Sequence, residues 1–98
     1  MTIRLRVINP NTTMSMTSHI GEAAREAVPP DVEIEAVSPS MGPVSIEGHY
    51  DEALAAVRVL DEVRRGEVAG VDGYVLAFFG DPGLVAAREL ASGPAVGV

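Results

Sequence analysis

The feature that most restricts what this chain can fold into is its regular alternation between short β-type runs and segments with helical spacing. Ile3 to Ile8 is rich in β-branched residues and stops at the turn signal Asn9-Pro10. Thr12 or Thr13 then offers a cap for a helix whose apolar positions Met16, Ile20, Ala23, Ala24 and Ala27 recur at helical intervals until Pro29-Pro30 ends it. Val32 to Val37 alternates strictly and reads as a second strand with one solvated face. After a Pro/Gly-containing loop from Ser38 to His49, the spacing predicts a helix over about Asp51 to Arg65, with Ala53, Val57, Leu60 and Val63 or Arg64 inward. Asp51 and Glu52 at its start and Arg64-Arg65 at its end complement the helix dipole, Asp61 and Arg65 are spaced to pair, and Gly66 and Gly70 offer stops.

Tyr74 to Phe79 is the most continuous apolar run, as a central strand buried on both faces would be. In Gly80-Asp81-Pro82-Gly83, Asp81 as cap and Pro82 at the first helical position would start a third helix with Leu84, Ala87 and Leu90 or Ala91 inward, closed by Gly93-Pro94. Ala95 to Val98 begins a fourth strand. The order β-α-β-α-β-α-β implies an α/β fold with a mostly parallel sheet and helices on both faces. A parallel edge strand needs cover, so residues 1–98 are expected to form one incomplete lobe, a fragment or a unit that another chain completes.

Composition narrows the function. The 7 basic residues against 14 acidic ones, a net charge of −7, are scattered and give no phosphate-binding footprint, which argues against nucleic acid and anionic membrane surfaces as partners. No segment approaches the ~20 apolar residues needed to span a bilayer, and Ile3-Arg4-Leu5-Arg6 is unlike a signal peptide, so a cytoplasmic location is the expectation. The absence of cysteine excludes disulfides and cysteine-ligated metals, and His19 and His49 have no metal-ligand spacing.

Ligands of open parallel sheets bind beyond the carboxyl ends of the strands. Three segments should meet there: Asn9-Pro10-Asn11-Thr12, the Ser40 to His49 loop, and Phe78 to Gly83. The first offers amides and a hydroxyl beside a helix start, suited either to a carboxylate or ring carbonyl or simply to capping the helix. The third has a glycine at each end of its turn, letting backbone approach a ligand, or is a plain helix start; it is neither a dinucleotide fingerprint nor a P-loop.

Taken in order, Asn9-Pro10-Asn11-Thr12, Gly42-Pro43-Val44-Ser45-Ile46-Glu47-Gly48-His49-Tyr50-Asp51, Phe79-Gly80-Asp81-Pro82-Gly83-Leu84 and Ala87-Arg88-Glu89-Leu90 resemble the aspartate/glutamate/hydantoin racemase family, in particular its hydantoin and allantoin branch. The resemblance runs along essentially the whole chain. It implies the N-terminal, flavodoxin-like lobe of a two-lobed, cofactor-independent isomerase with a cleft between the lobes. In that family each lobe supplies one cysteine, and the pair removes and returns the α-proton on opposite faces of a chiral carbon. Asn9, Asn11, Thr12, Pro43, Phe79 and Gly80 would then contact a hydantoin, allantoin or amino acid. The position of the first cysteine is Phe78, a ring that can neither accept nor donate a proton, so the chain alone is expected to be inactive. A non-catalytic, ligand-binding or self-assembling lobe is the alternative, and a homo-oligomer is expected.

Overall fold

The computed structural model describes residues 1–98. Its elements are β1 (Ile3–Ile8), α1 (Met14–Glu26), β2 (Val32–Val37), α2 (His49–Ala69), β3 (Gly73–Leu76), α3 (Leu84–Leu90) and β4 (Ala95–Gly97). All pairings are parallel, in the order β2-β1-β3-β4. The chain moves outward from β1 to β2, then crosses over to β3 on the other side of β1. The topological switch point therefore lies between the carboxyl ends of β1 and β3, where open α/β sheets form their crevice.

Side-chain alternation sorts the sheet into two faces. Ile8, Tyr74, Leu76 and Ala95 point toward α2 and α3 and form a buried cluster with Val59, Val63, Val71 and Ala87. Each large aliphatic side chain fully buried there contributes roughly 1.5–3 kcal/mol. On this face Arg6 is nearly buried, donating to the Glu35 carboxylate at 2.6 and 2.8 Å and to the Glu62 carbonyl at 2.9 Å. The Tyr74 hydroxyl donates to the Val63 carbonyl at 3.1 Å and to Glu67 Oε2 at 2.7 Å. Burial, with the Glu67 carboxylate beside it, raises the Tyr74 pKa, and the hydrogen bonds from Tyr74 and from Ser92 lower that of Glu67. On the opposite face α1 packs mainly on β2, with Gly21 so close that a Cβ there would meet that of Ala36 at 2.9 Å. The result is an α/β lobe of three layers.

Several sequence expectations shift in phase. The inward residues of α1 are Thr17 and Gly21, while Met16 and Ala23 are exposed and Ile20 is half-buried. Small side chains set the approach of this helix to β2, which turns its apolar stripe away from the sheet. In α2 the buried positions are Ala55, Val59, Glu62, Val63 and Gly66; Ala53, Val57 and Arg64 are exposed, and Leu60 is only partly buried. Gly66 does not stop the helix but makes room for Tyr74, whose Cε1 would lie 2.7 Å from a Cβ there. The helix continues to Ala69 and ends at Gly70 in the left-handed region (φ 79°). Arg65 pairs with Glu62 instead of Asp61, which faces Arg58 at 3.5 Å.

The third strand ends at Leu76 because a turn begins two residues on, the Asp81 amide donating to the Phe78 carbonyl at 3.0 Å. Its α1-side residue Val75 is only half-buried, so the strand is not closed on both faces. Asp81 is not a cap: it takes a positive φ of 48°, Gly83 follows with φ 79°, and the helix starts at Leu84. Within α3 Ala87 is buried, with Leu84 and, just after the helix, Ala91 packed against the same cluster as expected, while Leu90 is exposed. No helix of the fold is long and apolar enough to cross a membrane.

Candidate functional site

Beyond Ile8 the chain passes the switch point as Asn9-Pro10-Asn11, and all three residues are buried. The Asn9 amide is anchored to the Val37 carbonyl at 2.9 Å. Its side-chain Nδ2 donates to Asn11 Oδ1 at 2.9 Å and to Thr17 Oγ1 at 3.1 Å, so Asn9 acts as a strut between the turn and α1. Asn11 Oδ1 also accepts the Thr13 amide at 2.9 Å, an Asx turn at the start of the helix. With two donors on Oδ1, the orientation of the Asn11 amide is determined. Its Nδ2 is left with the Met16 sulfur, at 3.4 Å.

The two threonines divide their work. Thr12 donates its backbone amide to the Pro43 carbonyl at 3.1 Å. Thr13 occupies the cap position of α1, yet its hydroxyl donates to the Val44 carbonyl at 2.9 Å and bonds no helix amide. These bonds tie the loop after β2 to the turn after β1, and they bring Ser45 and Ile46 alongside Asn11.

The third segment leaves β3 with the Ala77 amide bonded to the Ile8 carbonyl at 2.9 Å. Phe78 is half-buried and Phe79 is 91% exposed. The Phe78 ring folds back over Gly80, where a Cβ would lie 2.9 Å from Cε2 and 3.1 Å from Glu52 Oε1 of α2. Gly80 is thus needed for the ring and the carboxylate to approach. Asp81 rests against Gly97 at the end of β4, and its Oδ1 is buried without a hydrogen-bond partner.

These segments enclose an open trough of about 530 Å³, the largest concavity of the molecule. Asn11, Ser45 and Ile46, Ala77, Phe78 and Phe79 line it together with Met16, Ile20 and Ala23 of α1 and the terminal Val98. Eight of the ten lining residues are hydrophobic, and the polar contribution comes from Asn11 and Ser45. Of the residues singled out from sequence, Asn11, Phe78 and Phe79 reach the trough, while Asn9, Thr12, Pro43 and Gly80 stand behind it as struts or backbone partners. Phe78 faces its edge and takes no part in the buried cluster of the sheet.

The α1 stripe and Ile46 were missed as lining. The mid-helix Gly21, four residues after Thr17, was the available sign that another face of α1 meets the sheet. His49 is fully exposed, and no group of three or more His, Cys, Asp or Glu side chains is arranged to hold a metal ion. The arrangement can seat a small, largely apolar molecule and offer one well-oriented amide donor. Phe78 supplies no proton-transfer group.

A family model described as Asp/Glu/Hydantoin racemase matches residues 5–98. The chain is 52% identical over 96 residues to a hydantoin racemase of Pseudomonas sp. (strain NS671), an alignment covering 98% of this chain and 39% of that protein. It is 46% identical over 97 residues to a hydantoin racemase of Paenarthrobacter aurescens, covering 98% and 41% respectively. Among solved structures, the allantoin racemase from Klebsiella pneumoniae superposes with a TM-score of 0.96 at 59% identity, over 98% of this chain and 39% of that one. The chain therefore spans about two-fifths of the length of the relatives it matches.

Proposed function

Because the chain belongs to the Asp/Glu/hydantoin racemase family, we propose that residues 1–98 form one lobe of a two-lobed racemase and hold the substrate in the trough at the switch point. The observation that carries this reading is the convergence of Asn11, Phe78 and Phe79 on one apolar concavity at the carboxyl ends of β1 and β3. Asn11 Nδ2 donates to a carbonyl oxygen of the ligand. The backbone of the Phe79-Gly80 turn and the Thr12-Pro43 link hold the rim. Relatives are hydantoin and allantoin racemases, and the trough suits such neutral, ring-carbonyl compounds better than a dicarboxylate, because its lining contains no Arg or Lys to neutralise one.

Inversion at a chiral carbon needs a base on one face and an acid on the other. A cofactor-independent route through two cysteines would need a thiol at position 78, where this chain has Phe. The lobe then binds but does not move the proton by itself. Binding is tested by titrating isotopically labelled protein with a 5-substituted hydantoin. The expected result is saturable chemical-shift change confined to Asn11, Ser45-Ile46 and Phe78-Phe79. Shifts centred elsewhere, or none at millimolar ligand, would remove the reading.

A self-assembling lobe has its own observation. Phe79 and Val85 are exposed apolar side chains on the carboxyl side of the sheet and on α3. Sedimentation should show a concentration-dependent dimer or higher species; a strict monomer at high concentration would contradict self-assembly.

A further inference from the structure

Asn11, the donor of the proposed function, is paired within the chain with Met16, which that function leaves unused. Asn11 is 5% exposed, and its Oδ1 is fully engaged by the Asn9 side chain and the Thr13 amide. Its Nδ2 finds within the chain only the Met16 thioether, at 3.4 Å, and both residues line the trough. A thioether is a weak acceptor, so the chain itself satisfies this strongly oriented donor poorly. Met16 is itself 46% exposed and unbranched, free to change rotamer without disturbing the core.

On the reading that the trough holds a carbonyl-bearing small molecule, we infer that Met16 is a specificity-determining residue whose sulfur acts as a displaceable stand-in for the ligand's carbonyl oxygen. In the empty lobe the sulfur keeps Asn11 Nδ2 aimed into the trough. When ligand enters, its carbonyl oxygen takes the donor, and the released Met side chain packs against the ligand's apolar substituent alongside Ile20. The pair thereby favours a neutral ring carbonyl flanked by a hydrophobic side group. A ligand with a polar group at that position would meet sulfur and hydrocarbon, with no partner for its own hydrogen bonds.

Two other methionines serve as internal controls. Met14 accepts from the Ser38 hydroxyl at 3.1 Å and lies outside the trough lining, and Met41 is exposed in the loop after β2. The test uses the 98-residue chain with labelled methionine methyl groups and labelled side-chain amides, titrated with 5-isopropylhydantoin. The Met16 methyl and the Asn11 side-chain amide should shift on one common saturation curve, with Met14 and Met41 nearly still.

Substitutions separate this role from simple packing. Met16→Leu removes the internal acceptor at similar volume and should tighten binding about two- to five-fold; Met16→Gln installs a strong competing acceptor and should weaken it roughly ten-fold. Met16 is partly exposed, so both variants should keep the fold. Equal weakening by both would overturn the inference, as would an Asn11 shift with Met16 unmoved, in which case ligand binding itself stands. Silence at both residues would overturn the ligand reading and the inference together.

Discussion

On the α2/α3 side of the sheet, Ile8, Val59 and Val63 are almost wholly buried, and even the charged Arg6 has three hydrogen bonds. On the α1 side, and along the carboxyl edge that adjoins it, Met16, Val96 and Phe79 remain open to solvent, and Nδ2 of the buried Asn11 has only a sulfur for partner. The same short chain thus contains a face closed by its helices and one left open at its carboxyl end. Close packing marks the part that holds the fold, with a single buried carboxylate oxygen, Asp81 Oδ1, left unpartnered at its rim. Exposed apolar side chains beside an under-satisfied donor mark a surface shaped for something else to occupy.

If the division is real, perturbations of the closed face should unfold the protein while those of the trough should barely change its stability. Arg6→Ala should have the largest effect, about 2–3 kcal/mol, because it removes three hydrogen bonds to Glu35 and the Glu62 carbonyl, opens a space in the closed face, and leaves the Glu62 carboxylate with only the exposed Arg65. Chemical denaturation measures this directly, and a loss under 1 kcal/mol would break the comparison. Gly66→Ala comes next. The gain in helix propensity is about 1 kcal/mol, but the new Cβ meets a Tyr74 ring that its two hydrogen bonds hold in place, so a net loss of about 1–2 kcal/mol is expected by thermal or denaturant unfolding.

Acid should act through Glu67 on the same face. Its pKa is lowered by hydrogen bonds from Tyr74 and Ser92, so its contribution is fully present above its ordinary value of 4.5 and is lost as pH falls through the lowered folded value. Glu67→Gln should flatten the acid limb of a stability–pH curve and leave the neutral region little changed in shape. The smallest effect belongs to the trough. Phe79→Ala, at a ring 91% exposed, should change stability by less than about 0.5 kcal/mol while weakening hydantoin binding. A large loss of stability would show that Phe79 belongs to the fold and not to a ligand surface.

The sequence made the element order legible because β-branched runs, Pro-Pro and the Gly-containing turns each act locally. Strand 3–8 and strand 32–37 match their expected bounds for that reason. Helix phase was less legible. In α1 the packing face is defined by Thr17 and Gly21, whose smallness allows close approach, and hydrophobicity alone points to the wrong side of the helix. In α2 the buried Glu62 lies inward because Arg6, distant in sequence, needs its carbonyl and carboxylate.

The same limit applied at the site. Asn9-Pro10-Asn11-Thr12 was recognisable as one turn, but nothing local separates the strut Asn9 from the trough-facing Asn11. That distinction arises from the contacts of Asn9 with Thr17 and of Thr12 with Pro43. Asp81 looked like a helix cap on spacing, yet its left-handed backbone and the adjoining Gly83 delay the helix to Leu84.

The central proposal is that this lobe retains a racemase's ligand-holding surface but lacks the proton-transfer atom at position 78. The most direct measurement is inversion of a single hydantoin enantiomer by a chimera in which this chain replaces the matching segment of the Klebsiella pneumoniae allantoin racemase, made with Phe78 and with Phe78→Cys. Inversion should be absent with phenylalanine, because it needs a proton-transfer group on both faces, and appear with cysteine, with ligand affinity similar in both. Equal inversion by the two chimeras would contradict the assignment of position 78, and a well-folded cysteine form that binds but never inverts the carbon would do the same.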